Sequence, residues 1–338
     1  MIVGALFALA AGAMWGLVFI SPLLLPEYPA ALLTVGRYLA FGLIALPIAW
    51  LDRRALTKLS RADWVEALRL AAIGNLLYYL CLASAIRMAG APLPTMLIGT
   101  LPVVIAIVSN RRDRARDGRL AWRSLAPSLA LIGSGIGCVN QVEFASLSAS
   151  TDADTARYLS GVLFALGAVA CWTWYPLRNA DWLRLHPERS PRTWATAQGL
   201  ATLPLATIGY ALLWVADLVV PGGFGATGGA STADSTSDAV LRMLPFGPRP
   251  VEFIGLMFAI GLFSSWLGTL CWNEASQRLP TSIAGQLIVF ETLAALSYAY
   301  LLRAEWPAPL TLLGIGLLVA GVLNAVRIKP QRDPIGVP

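Results

Sequence analysis

The sequence predicts an all-α integral membrane protein of ten transmembrane helices, arranged as two five-helix repeats that cross the bilayer in opposite directions. Three observations lead there: the composition, the length of the apolar runs and an internal repeat. Of 338 residues, 57% are hydrophobic and only 13% are charged, with a mean hydropathy of +0.66; lipid, not water, sets such a balance. The apolar runs extend about 20 residues each, the helical crossing of a hydrocarbon core about 30 Å thick. They are continuous and rich in Leu and Ala, without the alternation over about ten residues that a spanning strand requires. Leu6, Phe7, Ala8, Leu9 and Trp15 recur as Leu163, Phe164, Ala165, Leu166 and Trp172, each 157 positions on.

Span 1 (2–24) opens with Met1, Ile2 and Val3 and so lacks the basic start of a signal peptide. Its apolar run also outlasts an h-region of about 7 to 15 residues, so it is expected to stay with the chain. Span 2 (29–51) carries Arg37 in its middle and is followed by Arg53, Arg54, Lys58 and Arg61. Span 3 (64–88) holds Asn75, Tyr78 and Tyr79, and span 4 (92–109) holds Pro102, a candidate hinge because proline frees a backbone carbonyl and bends a helix. Six arginines from Arg111 to Arg123 cluster at the junction of span 4 with the Gly-rich span 5 (120–139). The first repeat is read as 1–140 and a periplasmic linker as 141–156.

Span 6 (157–178) opens the second repeat, 157–327, and brings Trp172 and Tyr175. Span 7 (194–219) follows a loop with Arg178, Arg184, Arg189 and Arg192, in which His186 reads as a solvated loop residue. An extended loop at about 220–250, rich in Gly, Ser, Thr and Asp, has the composition of a linker. Its Gly223, Gly225 and Gly228 spell GxGxxG, but no strand precedes them, so no dinucleotide is expected. Span 8 (251–279) carries Trp266, span 9 (281–302) Gln286 and Glu291, and span 10 (306–327) leads to a basic tail, 328–338.

Eighteen Lys and Arg residues fall in the loops on one side of this scheme, including Arg278, Arg327, Lys329 and Arg332. Five fall on the other: Arg87, Arg157, Arg242, Arg249 and Arg303. The positive-inside rule then places both termini in the cytoplasm. The net charge of +6 is thus a topology signal, with anionic lipid contact as a compatible reading, and no nucleic-acid partner is expected. The four cysteines lie in or beside apolar spans without CxxC spacing and read as packing residues, and no metal or other cofactor is implied. A second, weaker register pairs Cys81 with Cys271 and Ala85 with Ala275 at a shift of 190. Five spans per repeat is an odd number, so the copies run in opposite directions, and inverted repeats place a binding site at the bilayer midplane.

Arg37 and Glu291 are the charges farthest from span ends, about 12 Å from the outer end of span 2 and about 15 Å from the inner end of span 9. An unpaired charge at that depth costs about 2.5 to 3.5 kcal/mol, so both should face the interior. They could form a midplane gate or contact the substrate, Arg37 its carboxylate and Glu291 an ammonium or a proton; they could equally be a structural ion pair between the halves. Trp50, Trp64, Trp122, Trp182, Trp194, Trp214 and Trp306 fall near span ends, where amphipathic rings settle at the interface. Trp15, Trp172, Trp174, Trp266 and Trp272 sit deeper and, with Asn75, Tyr78, Tyr79, Tyr175 and Gln286, could line an aromatic cavity with few polar groups, or simply pack helices.

With one isolated acid and no histidine in the interior, the chain lacks the nucleophile, base or paired carboxylates of an enzyme. The pattern resembles the drug/metabolite transporter superfamily in its ten-helix EamA-type branch, most specifically the YddG-type aromatic amino acid exporters. The resemblance spans essentially the whole chain. It rests on the small-residue first span ending in a Trp-Gly step (Ala11 to Gly16), the Arg of span 2 (Thr34 to Leu43), the Pro of span 4 (Thr100 to Val103), the Glu of span 9 (Ile288 to Ala295) and Gly-rich faces on spans 5 and 10. Thr292 stands where the family usually has Pro, which leaves span 9 without its kinking residue. What the resemblance implies is a bacterial inner-membrane exporter of small metabolites, notably aromatic amino acids, working by alternating access. Lipophilic organic cations, which suit aromatics plus Glu291, and a channel-like facilitator remain as rival functions. The sequence leaves the oligomeric state open.

Overall fold

Inside a bilayer every backbone amide needs a partner within the protein, and a helix supplies one within its own segment. In the computed structural model, the described residues (2–90, 92–112, 122–147, 152–219, 245–279, 281–304 and 306–327) are helical with short connections and contain no strand. Their helices are α1 Ile2–Gly16, α2 Ala30–Leu51, α3 Arg61–Ala89, α4 Pro92–Gly99, α5 Leu101–Arg112, α6 Trp122–Leu147, α7 Asp152–Leu185, α8 Pro191–Val219, α9 Pro250–Arg278, α10 Thr281–Leu287, α11 Val289–Arg303 and α12 Pro309–Val326. Single turns at Ser21–Leu24 and Arg53–Leu56 follow α1 and α2.

Among the described residues, seven helices are long and apolar enough to cross a membrane: Ile2–Leu24, Ala30–Leu51, Arg61–Ala89, Thr155–Leu185, Pro191–Ala216, Pro250–Arg278 and Ile283–Leu302. The stretches expected at 92–109 and 306–327 contribute shorter apolar helices, Leu93–Ser109 and Pro309–Gly321, and 122–139 lies in α6. Helices α6 and α7 extend into the stretch read as a linker, 141–156, of which 148–151 lie outside the described residues. So do residues 220–244, with the GxGxxG glycines, and the tail from 328.

Two kinds of irregularity recur. α3 and α9 each contain a π-helical stretch, Leu70–Leu77 and Gly261–Leu267, a local widening that often marks a functional position. Two chain segments also break in mid-course, at Thr100 between α4 and α5 and at Ile288 between α10 and α11. Pro102, without an N–H, cannot bond back to Ile98, and Thr100 caps the break through its hydroxyl on Leu97 O at 2.6 Å. The second break forms without proline: Glu291 N–H bonds Ile288 O at 2.9 Å, a tighter turn than the α-helical one. By contrast Pro47, Pro127, Pro176 and Pro204 sit inside continuous helices.

The most extensive packing joins α2 to α8, α3 to α7, α1 to α9 and α11, α6 to α12, and α5 to α10. Side chains fix the direction of these pairs. Asp52 at the end of α2 meets Thr193 at the start of α8, while Thr202 reaches Tyr38 O at 3.2 Å. Asp63 near the start of α3 meets Trp182 near the end of α7, while Arg157 reaches Arg87 O at the other end, so these neighbours are antiparallel. One continuous apolar core, from Ala8 to Ala295, draws on both halves of the chain.

Candidate functional site

Charges inside an apolar bundle have to face one another or a polar cavity. Arg37 on α2 and Glu291 in the first turn of α11, 4% and 1% exposed, border the same cavity, together with Trp15, Asn75, Tyr78, Trp172, Val18, Tyr38, Ser264, Ser265 and Thr269. Among the described residues no ion pair within 4 Å joins the two charges. Arg37 Nε donates to Ser265 Oγ at 3.0 Å, and its guanidinium lies 4.9 Å from the Tyr38 ring centroid and 4.5 Å from that of Tyr79. Tyr79 is bonded in turn to Ser21 and to Val18 O. Glu291 accepts from Tyr78 OH at 3.3 Å and from Trp172 Nε1 at 3.2 Å. The break at Ile288 puts Glu291 at a helix N-terminus, where the helix dipole favours a carboxylate.

The aromatic residues form one assembly. Tyr78, Trp172 and Tyr175 stack in a column, with centroids 4.6 Å and 5.0 Å apart. Trp15 meets the edge of Trp172 at 4.8 Å and leans on Trp272 at 5.2 Å. The Tyr175 ring packs over Gly74 in the π-helical stretch, where an added Cβ would come within 2.6 Å of ring carbon Cγ. Arg37 Nη1 and Asn75 Nδ2 are buried donors with no hydrogen-bond partner among the described residues. The space they face is small, about 10 Å³ for water-sized spheres, the room of one water.

Of the residues singled out in the sequence, Trp15, Arg37, Asn75, Tyr78, Trp172 and Glu291 line this cavity, and Tyr79 and Tyr175 support it from behind. Trp266 instead reaches Thr196 on α8 at 3.4 Å, and Gln286 is buried on α10 away from the cavity. Pro102 lies beside the break between α4 and α5. Sequence reasoning missed Tyr38, Ser264, Ser265 and Thr269. The weaker register held one signal for them, because Ser265 stands 190 positions after Asn75.

Two further clusters of side chains lie toward the ends of the helices that carry the cavity. At the end rich in basic residues, Trp182 stacks on Trp194 at 3.4 Å and on His186 at 4.5 Å, and its Nε1 donates to Asp63 Oδ1 at 2.8 Å. His186 Nε2 lies 3.6 Å from the same oxygen. Glu66 pairs with Arg178 at 2.7 Å, and Asp52 with Arg192 at 3.0 Å and Thr193 at 2.6 Å. Trp194 Nε1 and Gln198 Nε2 both donate to Asn179 Oδ1. These contacts correct two expectations. Trp182 and Trp194 are buried partners rather than interfacial rings, and His186 is a half-buried lid on Trp182 rather than a solvated loop residue, because Asp63 holds Trp182 and His186 while Asn179 holds Trp194.

At the opposite end, Tyr28 stacks flat on Phe253 at 4.9 Å, donates to Phe246 O at 2.8 Å and accepts from Arg249 N–H at 2.8 Å. Burial pushes the Tyr28 phenol above its ordinary value, so it stays a neutral hydrogen-bonding group. Arg249 also pairs with Glu27 at 3.3 Å. Phe253 stands 190 positions after Asp63, the shift of the weaker register.

Comparison with known proteins gives three findings. Residues 2–111 and 239–327 match the EamA-like transporter family. The chain is 54% identical over 334 residues to "Inner membrane protein YtfF" of Escherichia coli (strain K12), covering 98% of this chain and 97% of that one. A solved structure described as "Crystal structure of protein" shares the fold, with a TM-score of 0.63 at 16% identity over 95% of this chain and 96% of that one.

Proposed function

Since this chain belongs to the EamA-like transporter family, and is a multi-pass membrane transporter rather than an enzyme, we propose that it exports small metabolites, namely amino acids including aromatic ones, across the bacterial inner membrane by alternating access. One observation carries the reading: Arg37 and Glu291 present opposite charges to one aromatic-walled cavity without pairing with each other. A zwitterion is their chemical complement. Its carboxylate would meet the unpartnered donors Arg37 Nη1 and Asn75 Nδ2, its ammonium Glu291, and an apolar side chain the column of Tyr78, Trp172 and Tyr175.

The reading assigns ten transmembrane helices to two inverted repeats, about 1–140 and 157–327, with both termini and the basic end in the cytoplasm. The packing supports it. With spans numbered along the chain, 2 packs on 7, 4 on 9 and 5 on 10, each on its own copy. Span 1 packs on 8 and 3 on 6, which exchange under the same operation, and so do 1 on 9 and the less extensive 6 on 4. A two-fold axis in the membrane plane has this consequence. We read the Tyr28 and Trp182 clusters as seals: with room for about one water in the cavity, transport requires them to open in turn.

Lipophilic organic cations form a second reading, favoured by the hydrogen-bonded Glu291 carboxylate within an aromatic column and opposed by Arg37 in the same cavity. Purified protein in liposomes, challenged with a panel of amino acids and organic cations with and without a pH gradient, separates the two. Competition by aromatic amino acids with saturable counterflow is expected. Competition by cations alone would install the second reading, and non-saturable flux without counterflow a channel-like facilitator.

A further inference from the structure

A larger opening lies away from the charged cavity. Between α5 and α7 runs a groove of about 490 Å³, walled by Val104 and Val108 on one side and Leu166, Val169, Thr173 and Leu177 on the other, with Arg112 and Arg178 at its basic end. Its place in the repeat explains it. Gly12 and Gly16 let α1 lie directly on α11: a Cβ at Gly16 would stand 2.7 Å from Ala294 Cβ, and one at Gly12 3.0 Å from Glu291 N. One repeat later, 157 positions on, these glycines are Val169 and Thr173. Both side chains point into the groove and hold α5 away from α7, so a contact closed in one half of the chain is open in the other.

We propose that this groove is a binding site for one anionic phospholipid, its acyl chain lying between α5 and α7 and its phosphate held by Arg112 and Arg178. The site is independent of the cargo. From Leu166 to Arg178 the groove rises about 18 Å, close to one leaflet of a hydrocarbon core about 30 Å thick. Its walls are apolar but for the Thr173 hydroxyl, which donates to Val169 O at 2.7 Å, and for the end where the two arginine side chains stand, 39% and 48% exposed. Each is set in place by an acid, Arg112 by Asp181 at 2.5 Å and Arg178 by Glu66 at 2.7 Å, which orients it without burying it. Arg111 adjoins Arg112 on α5 and Arg69 lies 3.7 Å from Glu66, so four arginines stand against the two acids around the mouth. Basic pockets between membrane helices hold anionic headgroups through this combination of charge and apolar wall.

Native mass spectrometry of the purified protein, exchanged into micelles with equal phosphatidylglycerol and phosphatidylcholine, tests the site. The natural sequence should retain one phosphatidylglycerol per chain, favoured about five-fold over phosphatidylcholine. Val104→Trp, which fills the groove, should lose that lipid, and Val108→Phe is a smaller filling read in the same way should the first variant fail to fold. Arg112→Gln should keep a lipid but bind the two headgroups alike. Equal retention of both lipids by the natural sequence overturns the proposal, as does undiminished phosphatidylglycerol in the filled variants or a second copy of the chain in place of lipid.

Discussion

Trp15 and Trp172, 157 positions apart, meet edge to face with ring centroids 4.8 Å apart. In the proposed inverted repeat the two are equivalent, and equivalent residues touch only near the axis that relates the copies, so the contact supports a shared centre there. The two are not interchangeable in chemistry, because Trp172 Nε1 donates to Glu291. Trp172→Phe should therefore slow transport by about ten-fold, the scale of one hydrogen bond to a charged group. Trp15→Phe, which removes no bond to Glu291, should cost less, and initial rates in proteoliposomes would reveal whether the order is reversed.

Glu291→Gln keeps the shape of the side chain and removes its charge, so the protein should still insert and fold while transport falls by at least ten-fold, again about the worth of a charge-assisted contact. Normal uptake by this variant would remove Glu291 from the mechanism.

The two seals make paired predictions. Trp182→Phe deletes the hydrogen bond to Asp63 and should open the basic end, whereas Tyr28→Phe deletes those to Phe246 O and Arg249 N–H and should open the other. A cysteine introduced at Thr269, with Cys81, Cys138, Cys171 and Cys271 replaced by alanine, reports access to the cavity. Labelling by an impermeant thiol reagent should rise roughly five- to ten-fold from the corresponding side only, for a bond worth about 1 kcal/mol. A rise from both sides, or from neither, would mean that these contacts do not hold the ends shut.

Gly16→Val should destabilise the protein by about 1 to 3 kcal/mol, because the added carbons meet the α11 backbone near Ala294. Thr173→Val, at the equivalent place facing the open groove, should leave the melting temperature in detergent nearly unchanged. Similar melting for both variants would contradict the asymmetry between the two halves.

Several of these features are legible without coordinates. Arg37 and Glu291 stand out because a charge deep in an apolar run has to turn inward, and Asn75, Tyr78 and Trp172 because polar and aromatic groups in such runs seek one another; all five reach one cavity. Trp266 and Gln286 carry the same signature yet face elsewhere, since depth along a span says nothing about rotation around it. Trp182, Trp194 and His186 are misread for a related reason: a ring near a span end looks the same whether it meets lipid headgroups or Asp63.

The sequence by itself determined that the chain is helical and lives in a membrane, because hydropathy and segment length answer to the bilayer alone. It also carries the recurrence from Leu6 to Trp15 at a shift of 157, on which the proposed repeat rests. Only the tertiary structure decided that Arg37 and Glu291 share a cavity without pairing, that Ser265 rather than Glu291 holds the guanidinium, and that α5 stands off α7 where α11 lies against α1. Those outcomes depend on distances of a few ångströms between helices far apart in sequence, and packing sets such distances where no local pattern of residues can.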